Sequence, residues 1–177
     1  MANKEALREL QQRLAERLRL VRERAPTRNW LAVESGGHGF LLPLEQAGEI
    51  FSMVALQPVP HSQPWFLGVG NLRGQLHGVV DLSGFIGLPR RAPTVMDFGS
   101  KDAGRLVAFN ASLQLNVALM IDRLLGLRRP EDLVATQASG PRPHFIGAEY
   151  TDAKSRPWVE LNLTALASDE AFLKVAA

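Results

Sequence analysis

Arg73 and Asp81 have the residue types and spacing best suited to recognition chemistry in this sequence. Arg73 lies in the run Asn71-Leu72-Arg73-Gly74, and Gly68, Gly70 and Gly74 bracket it with positions that can take positive φ or let another strand pack closely. A guanidinium fixed on a tight turn holds five donors in a rigid fork, which suits a carboxylate or a set of carbonyls, within the fold or on a partner. Asp81 closes the short β run Val79-Val80-Asp81-Leu82. An arginine and an aspartate eight residues apart across a hairpin can tie the turn down, and this bland role competes with the recognition role.

The residues make no case for an enzyme. His38, His61, His77 and His144 are far apart, and none has a second histidine or a carboxylate at helix-ligand spacing, so no metal or other cofactor is expected. Gly36-Gly37-His38-Gly39 lacks the lysine and hydroxyl residue of a phosphate-binding loop and precedes a strand, so it reads as a hairpin turn. The serines have no nucleophile-elbow context and no acid pair stands out for proton transfer. With no cysteine in the chain, disulfides, thiolate metal sites and cysteine nucleophiles are excluded.

The elements that must position these residues fall into two regions, 1–27 and 28–177. At 177 residues, 46% hydrophobic and 21% charged, the chain has ordinary globular composition. Residues 1–27 carry seven basic and four acidic side chains, while the remainder is close to neutral. Leu7, Leu10, Leu14, Leu18 and Val21 share one helical face, so the spacing predicts an amphipathic helix ended by Pro26. Such a helix packs on its own domain or on a neighbour, with self-association as one outcome; a role at a membrane surface is a competing reading. No run of about 18 uncharged apolar residues occurs, so no membrane insertion is expected and the cytoplasm is the predicted location. Nucleic acid is not an expected partner, because the near-neutral region has no basic stripe interleaved with aromatics.

Beyond residue 29 the pattern is mainly β: short apolar runs at 30–33, 39–44, 66–72, 75–82, 106–109, 113–120 and 158–163, punctuated by glycine and proline. Residues 161–174 have helix-compatible spacing, and 84–104 read as a mobile connection between two halves. A small β-barrel with a ligand pocket lined by Trp65 and Phe66 is a second functional reading.

The order Gly68-Val69-Gly70-Asn71-Leu72-Arg73-Gly74 followed by Val79-Val80-Asp81-Leu82 resembles the central signature of the CheW-like domain family, adaptors of bacterial chemosensory arrays. Phe40 to Leu44, Gly48-Glu49-Ile50, Pro58-Val59-Pro60, Leu106 to Phe109 and Val117 to Leu127 resemble further family segments in order. The likeness spans about residues 29–170. Pro64 to Gly74, with the helical N-terminal extension, is most similar to members serving type IV pili. Gly78 stands where the family usually has proline, and Ala118 where it usually has glycine.

The resemblance implies two intertwined five-stranded SH3-like barrels with short helices, one of them near Pro43 to Gly48. It also implies a non-enzymatic scaffold joining the signalling tip of a methyl-accepting chemoreceptor to the regulatory domain of a CheA-type histidine kinase, recruited to membrane-associated arrays. The family's receptor-facing positions fall on Ala47, Glu49, Gly68, Arg73 and Leu106, and its structural signature on Asn71, Gly74, Asp81 and Asp122.

Overall fold

The computed structural model describes residues 28–89, 104–137 and 140–177. The expected N-terminal helix and most of the segment 84–104 lie outside these residues. Twelve strands are present: β1 (Trp30–Ser35), β2 (His38–Pro43), β3 (Ala47–Ser52), β4 (Leu56–Gln57), β5 (Phe66–Leu72), β6 (Gln75–Asp81), β7 (Arg105–Phe109), β8 (Val117–Ile121), β9 (Arg123–Arg128), β10 (Leu133–Thr136), β11 (Ile146–Asp152) and β12 (Pro157–Leu161). Short helices follow β6 and β12: α1 (Leu82–Ile86), α2 (Leu163–Leu166) and α3 (Glu170–Leu173).

The ladders give two six-stranded sheets. Sheet 1 runs β10-β11-β12-β2-β1-β9 and sheet 2 runs β3-β7-β8-β6-β5-β4. Among the described residues the edge strands of a sheet do not pair with each other, so these are open sheets of six strands and not closed barrels of five. The two sheets share one wiring. Each is built on a hairpin, β1–β2 or β5–β6, with a parallel partner beside its second strand, β12 or β8, and antiparallel neighbours elsewhere.

Apolar residues from both sheets form the central layer, including Leu31, Val33, Phe40 and Leu42 from sheet 1 and Val80, Val107, Phe109, Leu119 and Ile121 from sheet 2. The opposite face of each sheet is also apolar. Leu72, Val79, Leu106, Ala108, Ala118 and Met120 cluster on sheet 2, and Trp30, Ala32, Leu41, Leu133 and Trp158 on sheet 1. Phe51 on one edge of sheet 2 and Leu56 on the other both pack against the first of these clusters, so the sheet curls around it. Burial on both faces explains why the central strands read as continuous apolar runs.

Several sequence expectations are corrected. The chain at Leu44 to Gln46 makes a turn, not a helix: Gln46 N donates to the Pro43 carbonyl at 2.9 Å, and β3 begins at the next residue. The run at 113–120 is interrupted by a 3-10 turn at Ala111–Leu113 and by Gln114 at φ 53°, so its strand starts at Val117. The C-terminal helix is two helices, because Asn162 and Asp169 each accept from a backbone N–H three residues ahead and start separate turns. Residues 84–104 do not join the halves, since β6 and β7 belong to the same sheet. The crossings between sheets lie at Leu44 to Gln46 and at Asp122.

Candidate protein-interaction site

The turn between β5 and β6 contains only Arg73 and Gly74, with φ of 50° and 86°. Two successive left-handed residues make the two-residue turn whose twist matches the strands it joins. Asn71 Oδ1 accepts from Gly74 N at 2.7 Å and holds the turn from inside. The equivalent turn in sheet 1, between β1 and β2, uses Gly36 and Gly37 at φ 57° and 78°, and Asp122 Oδ2 accepts from Gly36 N at 2.8 Å. The expected hairpin at Gly36 to Gly39 is therefore present. Sheet 1 places the residue type that adopts this conformation freely where sheet 2 places arginine, at a cost of roughly 1–2 kcal/mol.

Arg73 Nη2 lies 2.7 Å from Glu49 Oε1 on β3, with side chains 76% and 43% exposed. An exposed pair of this kind contributes at most about 1 kcal/mol. The pair thus barely offsets the backbone strain, and stability alone does not account for an arginine here. Leu76, two residues into β6 and 66% exposed, adds an apolar side chain on the same hairpin. Sequence reasoning missed it, because a leucine in a strand reads as core.

Asp81 is not the partner of Arg73. It ends β6 at the far end of the hairpin, about 20 Å along the strand from the turn, and is 1% exposed. Its Oδ1 accepts from Ser83 Oγ at 2.7 Å, and its backbone N–H donates to the Trp65 carbonyl at 2.8 Å. Of the five positions expected to face a receptor, Glu49 and Arg73 are on the surface. Ala47 is 7% and Leu106 0% exposed, and both belong to apolar clusters, so neither presents a side chain to a partner. Gly68 is buried at φ 129°, and a Cβ there would lie 2.3 Å from the Gln57 carbonyl oxygen on β4. Its role is to let β4 approach β5.

The remaining signature residues also act in the fold. Asp122 carries the crossing from β8 to β9, its N–H donating to the Glu34 carbonyl at 2.9 Å. Gly78 leaves room for the Phe66 ring, which a Cβ would meet at 2.9 Å, and Ala118 is fully buried beside it in the ladder. Trp65 stacks on Phe172 at 6.1 Å and meets Phe85 edge-on at 5.1 Å, so side chains of the chain itself fill the space proposed for a ligand. Among the described residues no group of three or more potential metal ligands occurs, and no helix is long and apolar enough to cross a membrane.

Comparison with known proteins gives a consistent picture. The sequence is 26% identical over 169 residues to protein PilI of Pseudomonas aeruginosa, covering 93% of this chain and 89% of that one. The fold is similar to the crystal structure of the scaffolding protein TtCheW from Thermoanaerobacter tengcongensis, with a TM-score of 0.62 and 16% identity, over 76% of this chain and 88% of that one. Residues 29–171 match the CheW-like domain, and the chain therefore belongs to the CheW-like domain family.

Proposed function

We propose that this protein is a non-enzymatic adaptor of a bacterial chemosensory array, coupling a methyl-accepting chemoreceptor to a CheA-type histidine kinase in control of type IV pili. Family membership and the likeness to PilI support the class of function. The single observation that carries the site is the strained, exposed Arg73 paired with Glu49. Arg73 offers the receptor its remaining guanidinium donors, Glu49 fixes their direction, and Leu76 supplies apolar contact beside them. Signal transfer in such an adaptor is positional: contacts that differ between two receptor states bias the kinase between its own states.

The test measures binding of the full chain to a purified receptor signalling tip and to the kinase regulatory domain from the same cell. Arg73→Glu weakens receptor binding by about tenfold or more, as loss of a central charged anchor does, and leaves kinase binding in place. Unchanged receptor affinity in the folded variant overturns the site, and binding of neither partner by the parent protein overturns the adaptor reading.

A further inference from the structure

We propose that residues 1–27 fold back onto the domain that follows them in the same chain and cover Leu44, Leu124 and Leu127. Seven large apolar side chains are exposed among the described residues, and these are three of them, at 42%, 40% and 58%. All three surround the point where the segment joins the domain. Leu44 N donates to the Asn29 carbonyl at 3.0 Å, and Leu127 and Leu124 stand opposite Leu31 and Val33 in the β1–β9 ladder. Paired residues share a face of a sheet. Leu31 and Val33 belong to the central layer, so Leu124 and Leu127 are that layer's continuation to the uncovered edge of sheet 1.

The entry point is fixed. Trp30 Nε1 donates to Glu160 Oε1 at 3.0 Å, and Arg28 Nη1 lies 3.6 Å from the same oxygen. Upstream of it, Pro26 breaks any helix and permits a reversal of direction. The apolar stripe from Leu7 to Val21 would be about 21 Å long as a helix, whereas Leu124 and Leu127 span about 10 Å of strand. Glu5, Glu9, Glu16 and Glu23 fall opposite that stripe and remain in solvent when it docks. The tether of one or two residues at Arg28 gives the segment an effective concentration of order millimolar at this edge, above that of a second copy at micromolar protein.

The chain has no cysteine, so single introduced thiols report coverage in the full-length protein. Leu127→Cys and Leu124→Cys are compared with Val134→Cys, which replaces a 68% exposed residue on the opposite edge of the same sheet. Modification by a soluble disulfide reagent is about tenfold slower at 124 and 127 than at 134, because labelling waits for the segment to lift away. The protection survives about a hundredfold dilution, as intramolecular contact requires, and adding Leu14→Glu with Leu18→Glu removes it. Circular dichroism checks that the sheets persist in each variant. Equal rates at 124, 127 and 134 overturn the proposal. So does protection lost on dilution, which identifies a second copy as the occupant, or protection insensitive to the two glutamates.

Discussion

Arg73 and Glu49 meet at 2.7 Å although β7 and β8 stand between β3 and the β5–β6 hairpin in the hydrogen-bonded order of sheet 2. In a flat sheet those strands would be about 14 Å apart. The curl of the sheet around Leu72, Val79, Leu106 and Met120 shortens the path, so a side-chain contact spans the opening that backbone ladders leave. The pair therefore reads out how tightly sheet 2 is curled, and a partner that grips either residue acts on that curl.

Replacing Arg73 by glycine separates the two roles of the residue. Relief of the left-handed strain, about 1–2 kcal/mol, is offset by the greater unfolded-state entropy of glycine and by loss of an exposed ion pair, each about 0.5–1 kcal/mol. Arg73→Gly leaves the urea midpoint nearly unchanged while receptor binding falls as for Arg73→Glu. A large drop in stability would show that the arginine braces the hairpin.

Gly68→Ala destabilises strongly. The added Cβ would lie 2.3 Å from Gln57 O, a backbone atom of a strand held in the ladder, and its φ of 129° is unfavourable for any side chain. A loss of about 2 kcal/mol or more is expected, read by thermal melting, with hydrogen exchange in 56–57 accelerated most.

Gln46 links a sheet crossing to the C-terminal helices, because its Oε1 accepts from Leu163 N at 2.7 Å and from Thr164 N at 3.4 Å. Gln46→Ala leaves the first turn of α2 without these bonds and costs about 1–2 kcal/mol. The amides of 163–166 exchange faster in the variant, while those of β8 keep their protection.

Asp152 supplies a pH dependence. Burial pushes its carboxyl up, but hydrogen bonds from Arg156 N, Trp158 Nε1 and Lys154 N, with the charge of Arg128, outweigh this and hold it below the usual carboxylate range. A carboxyl depressed in the folded state stabilises above its unfolded value of about 3.9 and loses that contribution as pH falls through the lower folded value. The stability gap between the parent protein and Asp152→Asn is therefore full at neutral pH and narrows below about pH 4, measured by denaturant unfolding across pH. A gap that widens in acid would contradict the assignment.

The parts of the fold legible in the sequence are those buried on two faces. β1, β2, β5, β6 and β7 follow apolar runs because both sides of each meet side chains, and the two hairpin turns follow their glycines. β3, β4, β9 and β10 are sheet edges, where one-sided burial leaves mixed sequences such as Ala-Gly-Glu-Ile-Phe-Ser, and composition did not mark them as runs. Val117 to Leu127 reads as one element yet divides at Asp122 between the sheets, since a hydrogen bond to Glu34 O and not hydrophobicity sets the break. Arg73 was legible as a site residue from its turn. Its partner was not, because Glu49 is brought to it by the curl of the sheet and lies 24 positions away in the chain.

Sheet 2 is one uninterrupted stretch of sequence, 47–121, whereas sheet 1 joins 30–43 to 123–161. During synthesis the receptor-facing half can assemble as soon as Ile121 has emerged, while β2 waits for β12, whose residues pair with it from about 120 positions downstream. The parallel β2–β12 ladder is the long-range closure on which the folding rate depends. Until it forms, β2 and its apolar face are open to mispairing, so the newborn chain is most vulnerable to aggregation when its binding surface is already complete.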